Sequence, residues 1–210
     1  MKKFLKALVL TVGMLVITGT SSMVYAQNYA TFNYTVKSGD SLWRICEIHQ
    51  VGVSELLAVN PQISNPSMIY PSQVIKVPNL AEVKRLAGEV LVLVNRERAK
   101  QGLAPLKDNW QLARVARYKS EDMRDKNYFS HTSPTYGAPF TMIKNFGIRY
   151  MSAGENIAMG QQTPAAVMSS WMNSPGHRSN ILSKNFTEIG VGVAKSKSGT
   201  LYWTQMFIGR

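Results

Sequence analysis

The spacing of apolar residues changes along this 210-residue chain, and each change marks a different kind of element. Between residues 33 and 78 the apolar groups are short. "YTV" predicts a strand and "SGD" a turn; Leu42, Ile45, Cys46 and His49 then follow the i, i+3, i+4, i+7 spacing of one helical face. That stripe predicts a helix over 41–49, with Cys46 a small buried hydrophobe rather than a reactive thiol. A second helix is predicted over 54–59, capped by Ser54 and stopped before Pro61, and "QVIKV" is a closing strand. Two strands around two helices in under 50 residues leave no room for a deep catalytic cleft, so this unit reads as a binding module.

Beyond Pro78 the pattern lengthens. Asn79 can cap a helix, with Glu82 three residues on in the manner of a capping box, which places a short linker at 79–86. Val83, Leu86, Val90, Leu91, Leu93 and Val94 form the inner face of a long helix whose charged end, "NRERAKQGL", stops at Gly102. Leu112, Val115, Ala116 and Met123 repeat the helical period, and "PAAVMSSWMNS" predicts another helix with Pro164 in its first turn. In "SPGHRSNIL" the Pro175–Gly176 pair interrupts the preceding helix and leaves His177 at a bend. Two β-rich runs around Lys197, Ser198 and Gly199 predict a hairpin. Helices first and strands late suggest an α+β layered domain. Gly190 and Gly192 form a G-x-G that no helix follows, so a dinucleotide site is rejected.

The N-terminus changes the compartment. Lys2, Lys3 and Lys6 precede an apolar run of 11 residues, Ala7 to Ile17, and Val24 and Ala26 supply a small-residue cleavage site. The run is short against the roughly 20 residues that span a bilayer. Residues 1–26 are therefore read as a signal peptide and the protein as secreted, extracellular or cell-wall-associated, with no membrane span after cleavage. A single cysteine, Cys46, leaves the fold without an internal disulfide. The 24 lysines and arginines outnumber the 12 acids, and all of the excess outside the signal lies beyond residue 80. Such a basic domain suits anionic wall polymers, or is simply solvated surface. Export and the absence of a groove-reading motif argue against nucleic acid.

Residues 34–78 resemble a LysM domain: "YTVKSGDSLWRI" matches its opening and "NP…IYPSQVIKVP" its close. The resemblance implies a βααβ module that binds N-acetylglucosamine-containing glycans such as peptidoglycan. By motif its groove lies between Gly39, Asp40 and Ser41 on one side and Asn60, Pro61 and Ile69 on the other. Asp40 and Ser41 also suit helix capping, and Ser72 stands where the family usually has glycine, which bears on the geometry of that turn.

Residues 87–208 resemble a CAP-superfamily (SCP-like extracellular) domain through "FSHTSP", "GENIA", "SPGHRSNIL" and "GVGVA…YWTQMF", in that order. The implied fold is an α–β–α sandwich with an open cleft faced by two histidines and two acids, and some members bind a divalent metal, usually zinc, through the histidines. Carried over by motif, those are His131, His177 and Glu155, with His131 and His177 as the metal ligands. The second acid is missing: "PFTMI" puts Thr141 and Met142 where bacterial relatives commonly carry a carboxylate. That removes half of a paired-carboxylate scheme while leaving a two-histidine site open. Two readings of His177 stand: a cleft ligand, or a structural histidine that bonds Glu155 and stitches two loops together. Arg178 reads as a surface or salt-bridge residue, Asn156 and Asn180 as groups that cap backbone, and Ser130 as no nucleophile despite its neighbour His131.

Three functions follow as expectations. The first is a wall-associated protein, with the LysM unit docking on peptidoglycan and the CAP domain acting as effector or ligand-binding domain. The second is a metal-assisted hydrolase of wall peptide or glycan, using His131, Glu155 and His177 as catalytic groups. The third is a lipid- or sterol-binding secreted protein. The domain pairing suggests a sporulating Gram-positive source.

Overall fold

The computed structural model describes residues 29–210, so the predicted signal peptide lies outside the described residues. The first unit runs β1 (Thr31–Thr35), α1 (Leu42–His49), α2 (Val53–Ala58), β2 (Val74–Pro78), the βααβ order expected. β1 and β2 pair antiparallel with Thr31 opposite Pro78. Leu42, Ile45, Cys46, Leu56, Ile75 and Val77 fill its core, and burial pushes the Cys46 thiol up to about 12.

Ser41 caps α1 by accepting from the Arg44 N–H at 3.1 Å. Ser54 does not cap α2: it is exposed and inside the helix, and the Gly52 N–H donates instead to Glu55 Oε2 at 2.6 Å. The reach-back carboxylate of Glu55 does the capping, and a Cβ on Gly52 would stand 2.4 Å from the Tyr118 hydroxyl. The turn before β2 keeps its form without glycine, but Ser72 is held at φ 72°, in the left-handed region.

The second unit runs α3 (Ala81–Lys100), β3 (Lys107–Asp108), α4 (Trp110–Asp125), α5 (Pro139–Asn145), β4 (Ser152–Met159), α6 (Pro164–Met172), α7 (Pro175–Ile181), β5 (Glu188–Lys195) and β6 (Leu201–Gly209). The predicted capping box before α3 does not form. Asn79 Oδ1 accepts from the Ala81 N–H, while Glu82 turns to Arg85 at 2.7 Å. Strand order is β3-β5-β6-β4, with β3 parallel to β5 and the other pairs antiparallel; the expected hairpin is β5–β6.

Alternation along the strands builds two cores. Val191, Val193, Trp203 and Phe207 face α3, α6 and α7, while Met206 and Ile208 face α4 and α5. The α–β–α sandwich follows. Gly190 and Gly192 permit it: a Cβ at either would lie 2.1–2.3 Å from the backbone of α4. The G-x-G seen in the sequence is thus a packing device, which lets a helix lie directly on the sheet.

The two units meet across α4. Arg117, fully buried, donates from both guanidinium nitrogens to Glu55 of α2 at 2.6 and 2.8 Å and to Glu121 at 2.8 Å. Tyr29 closes the group by donating its hydroxyl to Glu121 at 2.5 Å. Burial pushes the Glu121 carboxyl up, against the pull of Arg117; for Glu55 the same guanidinium and its hydrogen bonds outweigh burial and hold it low. Lys84 Nζ adds a bond to the His49 carbonyl at 2.8 Å, and the Trp43 and Trp110 rings lie 6.4 Å apart across the boundary.

Two stability measurements test this. Ser72→Gly relieves a left-handed non-glycine residue and is expected to raise unfolding free energy by about 1 kcal/mol in denaturant titration. Arg117→Ala strands two buried carboxylates and is expected to cost about 3 kcal/mol or more, because breaking one side of a buried ion group leaves uncompensated charge.

Candidate functional site

The site lies at the outer edge of β4, where elements from both helical layers come round the sheet. α4 supplies the support. Lys119, completely buried, donates from Nζ to the carbonyls of Ser130 and His131 at 2.7 and 2.8 Å and to the Tyr128 hydroxyl at 3.2 Å. Burial pulls its ammonium pKa down, with Glu155 and Asp122 opposing. One turn on, Asp122 accepts from Ser133 Oγ at 2.6 Å, from the Tyr128 hydroxyl at 2.7 Å and from Thr135 Oγ1. The loop "YFSHTSPT" is therefore fastened from beneath, with the His131 ring left more than half exposed. Ser130 Oγ accepts from the Thr132 N–H within that turn.

Glu155 comes from β4. Ala153 and Ile157, its same-face neighbours, pack on the α4 side, and this parity points Glu155 toward the His131 loop. Asn156 faces the other layer. It donates to the His177 carbonyl at 3.1 Å and to Gln205 Oε1 at 3.0 Å, while Asn180 donates to Asn156 Oδ1 and to the Glu155 carbonyl at 2.8 and 3.2 Å. Both asparagines thus bind α7 to β4, as groups of structure. Gly154 is required there, since a Cβ would come 2.8 Å from the Phe186 ring.

His177 sits in α7 and not at a bend. Pro175 and Gly176 open a new helix, a position where proline's missing N–H costs nothing. Arg178 beside it is exposed.

The structure brings His131 and Glu155 together: His131 Nδ1 lies 2.7 Å from Glu155 Oε1. The carboxylate is all but buried, and its second oxygen, Oε2, has no hydrogen-bond partner. The hydrogen bond to Glu155 raises the His131 pKa above its ordinary value against partial burial. His177 is lowered, first by burial and then by the charge of His131, so the two rings feel each other. The His177 ring makes no bond to Glu155; the stitch between loops runs through its backbone carbonyl instead. Thr141 is exposed on α5 and Met142 is buried at 1%, so the outward position of "PFTMI" carries no carboxylate.

Zinc was the metal implied by resemblance. Among the described residues no group of three or more His, Cys, Asp or Glu side chains is arranged to hold a metal ion. The donor set is two imidazoles. Glu155 fits an orienting role, since it occupies His131 Nδ1 and leaves Nε2 free.

In the first unit the expected groove residues are largely spoken for. The Asp40 carboxylate accepts from the Lys37 N–H and the Tyr34 hydroxyl, both at 2.8 Å, and those bonds hold its pKa down. Asn60 is buried; its amide donates to the Leu56 and Lys76 carbonyls and its oxygen accepts from the Lys76 N–H, so its side chain builds the loop. Gly39, at φ 84°, and Pro61 are exposed and Ile69 is half-buried; with backbone groups, these are what the groove can offer. Lys119, Asp122 and Gln205 escaped the sequence reading. They lie in elements whose periodicity says nothing of a polar partner across the fold.

The model of the CAP domain, the cysteine-rich secretory protein family, matches residues 91–207, more than half of the chain. The chain belongs to this family. A LysM domain matches residues 34–78. "Uncharacterized protein YkwD" of Bacillus subtilis (strain 168) is 60% identical over 122 residues, 58% of this chain and 46% of that protein. The N-acetylmuramoyl-L-alanine amidase sle1 of Staphylococcus haemolyticus is 43% identical over 61 residues, 29% of this chain and 18% of the amidase. The chain thus spans under half the length of these relatives. Among solved structures, an extracellular protein containing a SCP domain from Bacillus anthracis superposes with TM-score 0.58 at 34% identity, over 67% of this chain and 47% of that one. This CAP protein carries one cysteine despite the family's description. No helix among the described residues is long and apolar enough to cross a membrane.

The three histidines give a direct test of the site. In an NMR pH titration His131 should titrate above the ordinary imidazole value and His49 and His177 below it. The protonated His131–Glu155 pair adds stability at pH below the ordinary value, lost as pH rises through the raised pKa. Glu155→Gln should move the His131 midpoint downward.

Proposed function

We propose that the protein is held in the cell wall by its LysM unit on N-acetylglucosamine-containing peptidoglycan and acts there through its CAP domain. The LysM match and the exposure of Gly39 and Pro61 support the anchoring half. Likeness over 61 residues to an amidase named for N-acetylmuramoyl-L-alanine points to the same polymer. The CAP domain presents His131, Glu155 and His177 as a ligand-binding site at the edge of β4.

The observation that carries binding over catalysis is Thr141, which leaves Glu155 as the cleft's lone expected acid. A buried carboxylate paired with one imidazole can orient the ring and support proton movement at His131 Nε2. Without a second acid there is no partner to complete a two-carboxylate exchange. A bound divalent metal would supply Lewis acidity for the hydrolase reading; His131 and His177 would hold it, and Glu155 would orient His131.

One pair of assays separates these readings. The full chain should be retained on purified, phosphate-free peptidoglycan at high salt, and Pro61→Glu should weaken retention by about tenfold, or roughly 1.4 kcal/mol. The incubated wall should then show no new chemical termini by mass spectrometry. New termini that vanish in Glu155→Ala would move the function to hydrolysis, and equal retention of Pro61→Glu would end the groove assignment.

A further inference from the structure

A second concavity stands apart from the histidine site. It is an open cleft of about 850 Å³ between the two units, walled by Tyr29 and Asn79, the first turns of α3, the end of α4 and the tip of the β5–β6 hairpin. Its volume is that of a ligand site. Tyr29 is fixed in its wall through Glu121.

The floor is carbon: Leu86, Val193 and Leu201 are buried beneath it. The charges around it do not cancel. Glu82 is matched by Arg85 at 2.7 Å, and Arg85 is shared with Glu89 at 2.5 Å; Asp125 is matched by Arg124 through two bonds of 2.6 and 2.8 Å. Lys195 and Lys197 are both exposed on the hairpin; among the described residues neither is in an ion pair, and the Lys195 charge acts on Glu82 only from beyond salt-bridge distance. The hydroxyls of Ser196 and Ser198 flank Lys197, 2.9 Å apart.

An apolar floor under ammonium and hydroxyl groups, in a trough open at the top, suits a chain that alternates short carbon segments, hydroxyls and fixed anions. We infer that this cleft binds a polyol-phosphate chain, its phosphodiesters meeting Lys195 and Lys197 and its carbon backbone lying on Leu86, Val193 and Leu201. Neutral sugars would leave the ammonium groups unused. The inference rests on the wall-bound reading for its setting, yet uses none of the residues of the LysM groove or the histidine site.

The test is calorimetric titration of the full chain with lipid-free poly(glycerol phosphate). Wild type should bind, more weakly as salt rises. Lys195→Gln with Lys197→Gln should lose about tenfold, close to 1.4 kcal/mol. Gln162→Trp is charge-neutral and lies on the exposed rim; it should lose affinity by filling the trough. Lys107→Gln with Lys184→Gln removes the same charge elsewhere and should stay within about twofold of wild type. Equal loss in that control pair would mean diffuse attraction and overturn the proposal. So would an unaffected Gln162→Trp, or a muramyl peptide that binds tighter than the polymer. Retention on phosphate-free peptidoglycan, measured on the same variants, reports the anchoring reading separately: its failure with polymer binding intact sinks only the anchor.

Discussion

Arg117 lies between carboxylates from two different units, and its burial constrains both of them. Taking a guanidinium out of water costs several kcal/mol unless its partners arrive in good geometry. Here Glu55 takes it bidentately and Glu121 takes it from its own helix, one turn away. Two acids against one cation would leave excess negative charge, and the Tyr29 hydroxyl offsets this by donating to Glu121. The arrangement has one solution in space. A rotation of the first unit on α4 would break the bonds to Glu55 and from Tyr29 together.

The same helix carries the site. Along α4, positions 117 and 121 face the first unit, Ser120 reaches Thr204 in the sheet, and Lys119 and Asp122 hold the loop that bears His131. Helical periodicity distributes these tasks to different sides of one element. They are possible because Gly190 and Gly192 let α4 lie on the sheet without intervening side chains. Packing, docking and the placement of the imidazole therefore share a single rod.

Apolar spacing made most elements legible. The stripe through Leu42, Ile45 and Cys46 and the run from Leu86 to Val94 fall on buried faces, and the β-rich C-terminus folds back as a hairpin. Errors cluster where a side chain or a turn residue decides. Glu55 replaced Ser54 as the capping group, and Pro175, past the expected break after α6, opens α7 where a bend at His177 was expected. "RYKSED", six polar or amphipathic residues in succession within α4, is buried at every position. Their partners come from distant segments, and period alone cannot reveal them. His131, Glu155 and His177 were found through motif resemblance; the bond between the first two, and the indirect tie of the third, needed coordinates.

Units joined by a flexible tether recombine freely in evolution, because neither depends on the other's surface. Glu55 removes that freedom here. A first unit lacking an acid at its place would strand the Arg117 guanidinium, so this surface of α4 accepts only a unit that carries one.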